Sequence, residues 1–126
     1  MIHLFILPGD NPENSDAKRA ILSVPLVSKV SFLSNRKMVN NEVLNPFYMF
    51  LYDNEFLSKE LWLAIPTILN QNYHFVRFYH RKWDTGMYSV SPRLFKQDVE
   101  LNEDLTVKSF KFLLGETLLD GFIEAE

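Results

Sequence analysis

The chain alternates between short apolar runs and polar or turn-forming stretches, and these runs predict its elements. Ile2–Leu7 is rich in branched and aromatic side chains and stops at Pro8-Gly9, the pattern of a buried strand. The next six residues, Gly9-Asp10-Asn11-Pro12-Glu13-Asn14, are loop chemistry. Asn14 or Ser15 then caps a helix running from residue 16 towards residue 24, where Pro25 disfavours continuation. A second strand is predicted over 29–33, a polar link follows around Ser34 to Lys37, and a short helix precedes Asn45-Pro46. The third strand is predicted over 47–51.

Ser58 caps a helix carrying Leu61, Trp62, Ile65 and Leu69 at spacings near three and four, with Pro66 kinking it or starting a new turn. Residues 73–79 alternate as a strand, 87–90 and 93–95 read as two further extended pieces, and the tail from Lys108 fits helix or strand. Strands alternating with helices in the first half predict an α/β domain. Its central sheet is expected to be mainly parallel with flanking helices, and the later strands to form an antiparallel addition. Trp62 and Phe50 are the aromatic core residues expected on the helix and on the third strand.

Composition narrows the function classes. The 126 residues contain no stretch rich in Gly, Pro or Ser that would divide them into two folding units, so a single domain is expected. Apolar residues make up 47%, with eleven Phe, enough to build a core. Thirteen basic against sixteen acidic residues give a net charge of −3, which supplies no global field for a nucleic-acid partner. Without Cys there is no disulfide and no thiolate metal site. The opening lacks a basic leader and no apolar run approaches the ~20 residues of a membrane span, so a cytoplasmic protein is expected.

The candidate chemistry is sparse. His3, His74 and His80 lack metal-ligand spacing, the last two standing roughly 20 Å apart on an extended chain. No Gly-x-Ser-x-Gly elbow and no glycine-rich phosphate loop occurs, which argues against standard hydrolase, kinase and dehydrogenase sites. The run Arg77-Phe78-Tyr79-His80-Arg81-Lys82-Trp83 reads either as a phosphate or base contact or as a half-buried strand with a charged face. The segment from Phe47 to Ser58 is an apolar strand that ends in Asp53, Asn54 and Glu55, then an aromatic, then a helix cap. Carboxylates just past the carboxyl end of a strand lie where open α/β sheets bind ligands, and they equally suit a solvated turn that caps the next helix.

That segment resembles the Asp-x-Asp-Glu region of GT-A family 2 glycosyltransferases, particularly those similar to lipopolysaccharide-core sugar transferases. The resemblance extends to Ile6-Leu7-Pro8 with Asn11, Glu13 and Asn14, and to Glu60-Leu61 and Ile65-Pro66. It continues through Arg77, Arg81 and Trp83, then Gly86-Met87-Tyr88, and ends in Ser91-Pro92-Arg93-Leu94-Phe95-Lys96, covering residues 2 to about 105. It implies a shortened GT-A-like domain that binds a nucleotide-sugar and transfers the sugar to an acceptor. In that reading Asp53, Asn54 and Glu55 hold Mg2+ or Mn2+, Asp53, Arg93 and Lys96 contact the diphosphate, and Glu103 deprotonates the acceptor hydroxyl.

The departures from the family pattern bear directly on that chemistry. Tyr52 stands at the first Asp of the motif and Asn54 at the second, so both defining acids are replaced, while Glu55 keeps the Glu. The second strand ends in Phe32-Leu33-Ser34-Asn35, without the Asp that holds the nucleotide in the family. The alternative is therefore a module descended from that fold that binds a protein or other partner and has lost the chemistry.

Overall fold

A computed structural model describes residues 2–7, 27–32, 46–52, 55–82, 88–102 and 104–125. The loop over 9–14, the helix over 16–24 and the short helix before Pro46 fall outside these residues, as do Asp53, Asn54, Trp83 and Glu103. The described elements are β1 (Ile2–Leu7), β2 (Val27–Phe32), β3 (Phe47–Tyr52), β4 (Glu55–Leu57), α1 (Lys59–Leu69), β5 (Phe75–Lys82), β6 (Tyr88–Lys96) and β7 (Gly115–Ala125). The strands form one sheet in the order β2-β1-β3-β6-β5-β7-β4.

The three amino-terminal strands lie side by side and parallel, with β1 between β2 and β3. β1 is buried along its whole length, which explains its continuous apolar run: a strand covered on both faces needs no polar alternation. Beyond β3 the pattern changes. The β3–β6, β6–β5 and β4–β7 pairings are antiparallel and β5–β7 is parallel. The sheet is thus evenly mixed rather than mainly parallel, and one helix flanks it among the described residues. The second half of the chain is strand-rich because β5 and β6, consecutive among the described elements, pair antiparallel, an arrangement that needs no crossover helix.

The strand order forces a curl. Only two residues separate Tyr52 at the end of β3 from Glu55 at the start of β4, yet β6, β5 and β7 lie between these strands in the sheet. Four inter-strand steps in a flat sheet would span roughly 19 Å, whereas three residues of chain reach at most about 11 Å. The strands from β3 to β4 must therefore wrap round until the far edge meets the carboxyl end of β3. The Tyr52 amide donates to Glu55 Oε1 at 2.8 Å across that meeting point.

Two apolar clusters fill the two faces. On the helix side Ile2, Leu4, Ile6, Met49, Leu51, Val76, Phe78 and Leu94 meet Leu61, Ile65, Ile68 and Leu69 of α1. On the other side Phe5, Leu7, Tyr48, Phe50, Phe75 and Phe95 are covered by Val99, Leu101, Leu105 and Val107 from the segment after β6. The Tyr48 hydroxyl donates to the Val99 carbonyl at 2.5 Å and ties that segment down. Phe50 is only 4% exposed, whereas Trp62 is half-buried against the edge of the helix-side cluster.

α1 starts as its sequence predicts. Ser58 Oγ accepts from the Leu61 amide at 3.3 Å, a cap on one of the helix's unsatisfied donors. The helix runs through Pro66, whose exposed ring faces water, at the expense of one backbone bond. Its amino end docks on β7 where the ladder slips: Leu118 pairs with Phe78 but Phe122 pairs with Tyr79, leaving 119–121 as a bulge. A Cβ on Gly121 would stand 2.4 Å from Ser58 Oγ and 2.9 Å from the Leu61 amide nitrogen. Gly121→Ala is expected to push the helix start off β7 and to cost about 1–3 kcal/mol, read as a lowered urea midpoint at unchanged slope. An unchanged midpoint would mean that the helix does not approach β7 this closely.

Candidate functional site

The site grows from an irregularity in β6. Val76 pairs with Leu94 but Arg77 pairs with Pro92, so Arg93 is the extra residue of a β-bulge. A bulge re-aims its side chain, and it also suits the neighbouring proline, which has no amide to give to a regular ladder. Arg93 is thereby turned to the place where the curled sheet brings Glu55 back to β3.

There the two side chains form a fork-to-fork pair. Arg93 Nη1 donates to Glu55 Oε1 at 2.7 Å and Nη2 to Oε2 at 2.9 Å. Nη1 also reaches the Phe50 carbonyl at 3.4 Å. The guanidinium lies 4.9 Å over the Phe50 ring and 5.2 Å over the Tyr52 ring, contacts that favour a partly dehydrated cation. Both partners are 7% exposed.

His80 and Ser91 complete the cluster. They lie on neighbouring antiparallel strands, Ser91 opposite Phe78 and His80 two residues further along β5. Ser91 Oγ is 2.6 Å from His80 Nε2, and His80 Nδ1 is 3.7 Å from Glu55 Oε2, which is an electrostatic contact longer than a hydrogen bond. Burial pushes the Glu55 carboxyl up, but the His80 imidazole, the Arg93 guanidinium and the Tyr52 amide together outweigh it and bring the carboxyl down to about 2. Glu55 is therefore an anion at neutral pH.

A cleft of about 320 Å³ opens beside this cluster, and Tyr52, Ser91 and Arg93 form part of its lining. Its opposite wall is the turn around Asp104, which accepts from the Thr106 amide at 3.1 Å and from the Thr106 hydroxyl at 2.5 Å. Leu105 takes a left-handed conformation, φ 69°, within that turn.

The residues singled out from the sequence separate here. Glu55 and Arg93 come together, but on each other. Lys96 pairs with Phe47 at the opposite end of β3 from Tyr52, and its ammonium donates to the Asn72 side chain. Asp53, Asn54 and Glu103 lie outside the described residues. Among the described residues no three His, Asp or Glu side chains converge as a metal cage, and no helix is long and apolar enough to cross a membrane.

No protein-family model and no curated protein matches the chain. Its functional reading rests on the cluster itself. His80 and Ser91 each belong to runs singled out from the sequence, but not as a pair, because the distance between them depends on the β5–β6 register. The only local signal was the polar stretch at the end of β5 and at the start of β6.

Proposed function

We propose that the chain is a glycosyltransferase-like domain of GT-A type that binds a ligand in the cleft beside Tyr52 and Arg93 but has given up metal-dependent sugar transfer. The parallel trio β2-β1-β3, with the altered motif at the carboxyl end of β3, supports the likeness. The observation that carries the loss of chemistry is the buried Glu55–Arg93 pair. It commits the one acid that keeps its motif position and one of the two cations expected on the diphosphate. With Tyr52 and Asn54 in place of the two defining acids, Asp53 alone is left to offer a carboxylate at that turn, which is poor company for a hard divalent cation. In this reading Glu103 has no activated donor to work on, and the cleft serves recognition of a small ligand or a partner's side chain.

The test is calorimetric titration with a panel of nucleotide-sugars, with and without Mn2+. Mn2+ should leave both the heats and the melting temperature of the unmodified chain unchanged. A saturable heat that requires Mn2+ would restore the transferase reading. In the double variant Tyr52→Asp, Asn54→Asp the rebuilt acidic turn should lower stability alone and regain it with Mn2+, since a cation bound only by the folded state stabilises it. A double variant that folds without metal-dependent gain would reduce the resemblance over 47–58 to a strand and a cap.

A further inference from the structure

We propose that Ser91, His80 and Glu55 form a nucleophile, base and positioning acid, and that the cleft beside them takes a small acyl ester. The inference does not depend on a transferase ancestry. It rests on three observations. Ser91 Oγ is within 2.6 Å of His80 Nε2, the contact through which a base activates a hydroxyl. The far nitrogen of the same ring, Nδ1, lies 3.7 Å from Glu55 Oε2 and 3.5 Å from Arg93 Nη2, a nitrogen that already donates to the same carboxylate at 2.9 Å. In the reactive tautomer the proton is on Nδ1, towards the anion, which leaves Nε2 to accept from serine. Ser91 also lines an open cleft of about 320 Å³, so the hydroxyl is within reach of a ligand.

The supporting groups have the same logic. Glu55 is held by two bonds from Arg93 and one from the Tyr52 amide, so its position relative to the ring is fixed. Arg93 lines the cleft too, but both of its terminal nitrogens are held by Glu55, so its part is to fix the carboxylate. The apolar part of the lining, Phe50, Pro92, Leu105, Val107 and Phe110, suits an acyl group, with Asp104 and Thr106 on the same walls. In the step, Ser91 Oγ bonds to the acyl carbon as its proton passes to His80 Nε2. The carbon–oxygen bond to the alcohol then breaks, and the alcohol leaves with that proton. Solvent water, deprotonated by the same nitrogen, releases the acid and restores the serine.

The experiment treats the full chain with a fluorophosphonate, which bonds to an activated serine with loss of fluoride, followed by intact-mass measurement and peptide mapping. One adduct on Ser91 is expected, with its formation slowed at least about tenfold in His80→Gln and absent in Ser91→Ala. Ser89→Ala, at the exposed neighbour, should label like the unmodified chain. Glu55→Gln should lower the rate of bond formation while leaving the concentration that half-saturates it unchanged, which separates positioning of the ring from a collapsed cleft. Mapping on the unmodified chain needs no variant to fold. No adduct, an adduct elsewhere, or equal labelling in His80→Gln overturns the proposal, and an unchanged rate in Glu55→Gln removes the acid from the set.

Discussion

Arg93→Met should cost about 3–5 kcal/mol at neutral pH, because it strands a buried carboxylate without its cation. The penalty should shrink as the solution is acidified. In the unmodified chain Glu55 titrates at about 2 against an ordinary 4.5. A depressed carboxyl stabilises the fold fully above its unfolded value and loses that contribution as pH falls from about 4.5 towards about 2. A gap of this size corresponds to about 3 kcal/mol. In the variant, burial without the guanidinium favours the neutral acid, so protonation relieves it. Urea melts of both proteins across that window should converge at the acid end. A difference that does not change with pH would mean that Glu55 is not the group left unpaired by the substitution. Replacing both partners, Glu55→Leu with Arg93→Met, should recover most of the loss, since a buried ion pair is hard to break but not hard to replace.

Phe78→Ala is expected to have the largest effect among core changes, about 3–5 kcal/mol. The ring is fully buried on the interior strand β5, between β6 and β7 and within the cluster under α1. Truncation would leave a cavity that two paired neighbours hold open. Trp62→Ala should cost clearly less despite the larger side chain. Trp62 is half-buried, and its buried Nε1 has no hydrogen-bond partner among the described residues, so part of its burial is unfavourable. The comparison is made from urea midpoints at equal slope. A Trp62→Ala loss equal to or greater than that of Phe78→Ala would show that the helix-side core is centred on α1 rather than on the sheet.

The amino-acid sequence determined the local elements wherever one physical signal was unopposed. Ile2–Leu7 was legible because a strand buried on both faces is a plain apolar run ended by Pro-Gly. The 58–69 helix was legible because Ser58 caps it and its apolar residues recur at helical spacing. The neighbourhood of the first three strands followed from the expected alternation of apolar strands with helical segments. Where two local signals compete, the sequence was silent or misleading. Pro92 split β6 into two expected pieces, yet the strand is continuous because the Arg93 bulge takes up the irregularity. The tail, ambiguous by itself, becomes β7 because β5 offers it an edge and Gly121 lets α1 approach.

The site was the least legible part. Acidic residues after β3 do mark the end of the sheet where the cluster sits, but the sequence gives Glu55 the appearance of an open-turn ligand. Only the curl of the sheet, set by the long-range order β3-β6-β5-β7-β4, brings it against Arg93 and His80. Whether a carboxylate binds a cation in solution or one in its own chain depends on which partner the fold holds within hydrogen-bond distance, and that distance is fixed by strand register between residues 38 apart in sequence. Local pattern determines which residues are buried and which elements form. Register and curvature, which depend on the whole sheet closing on itself, decide which buried charges meet.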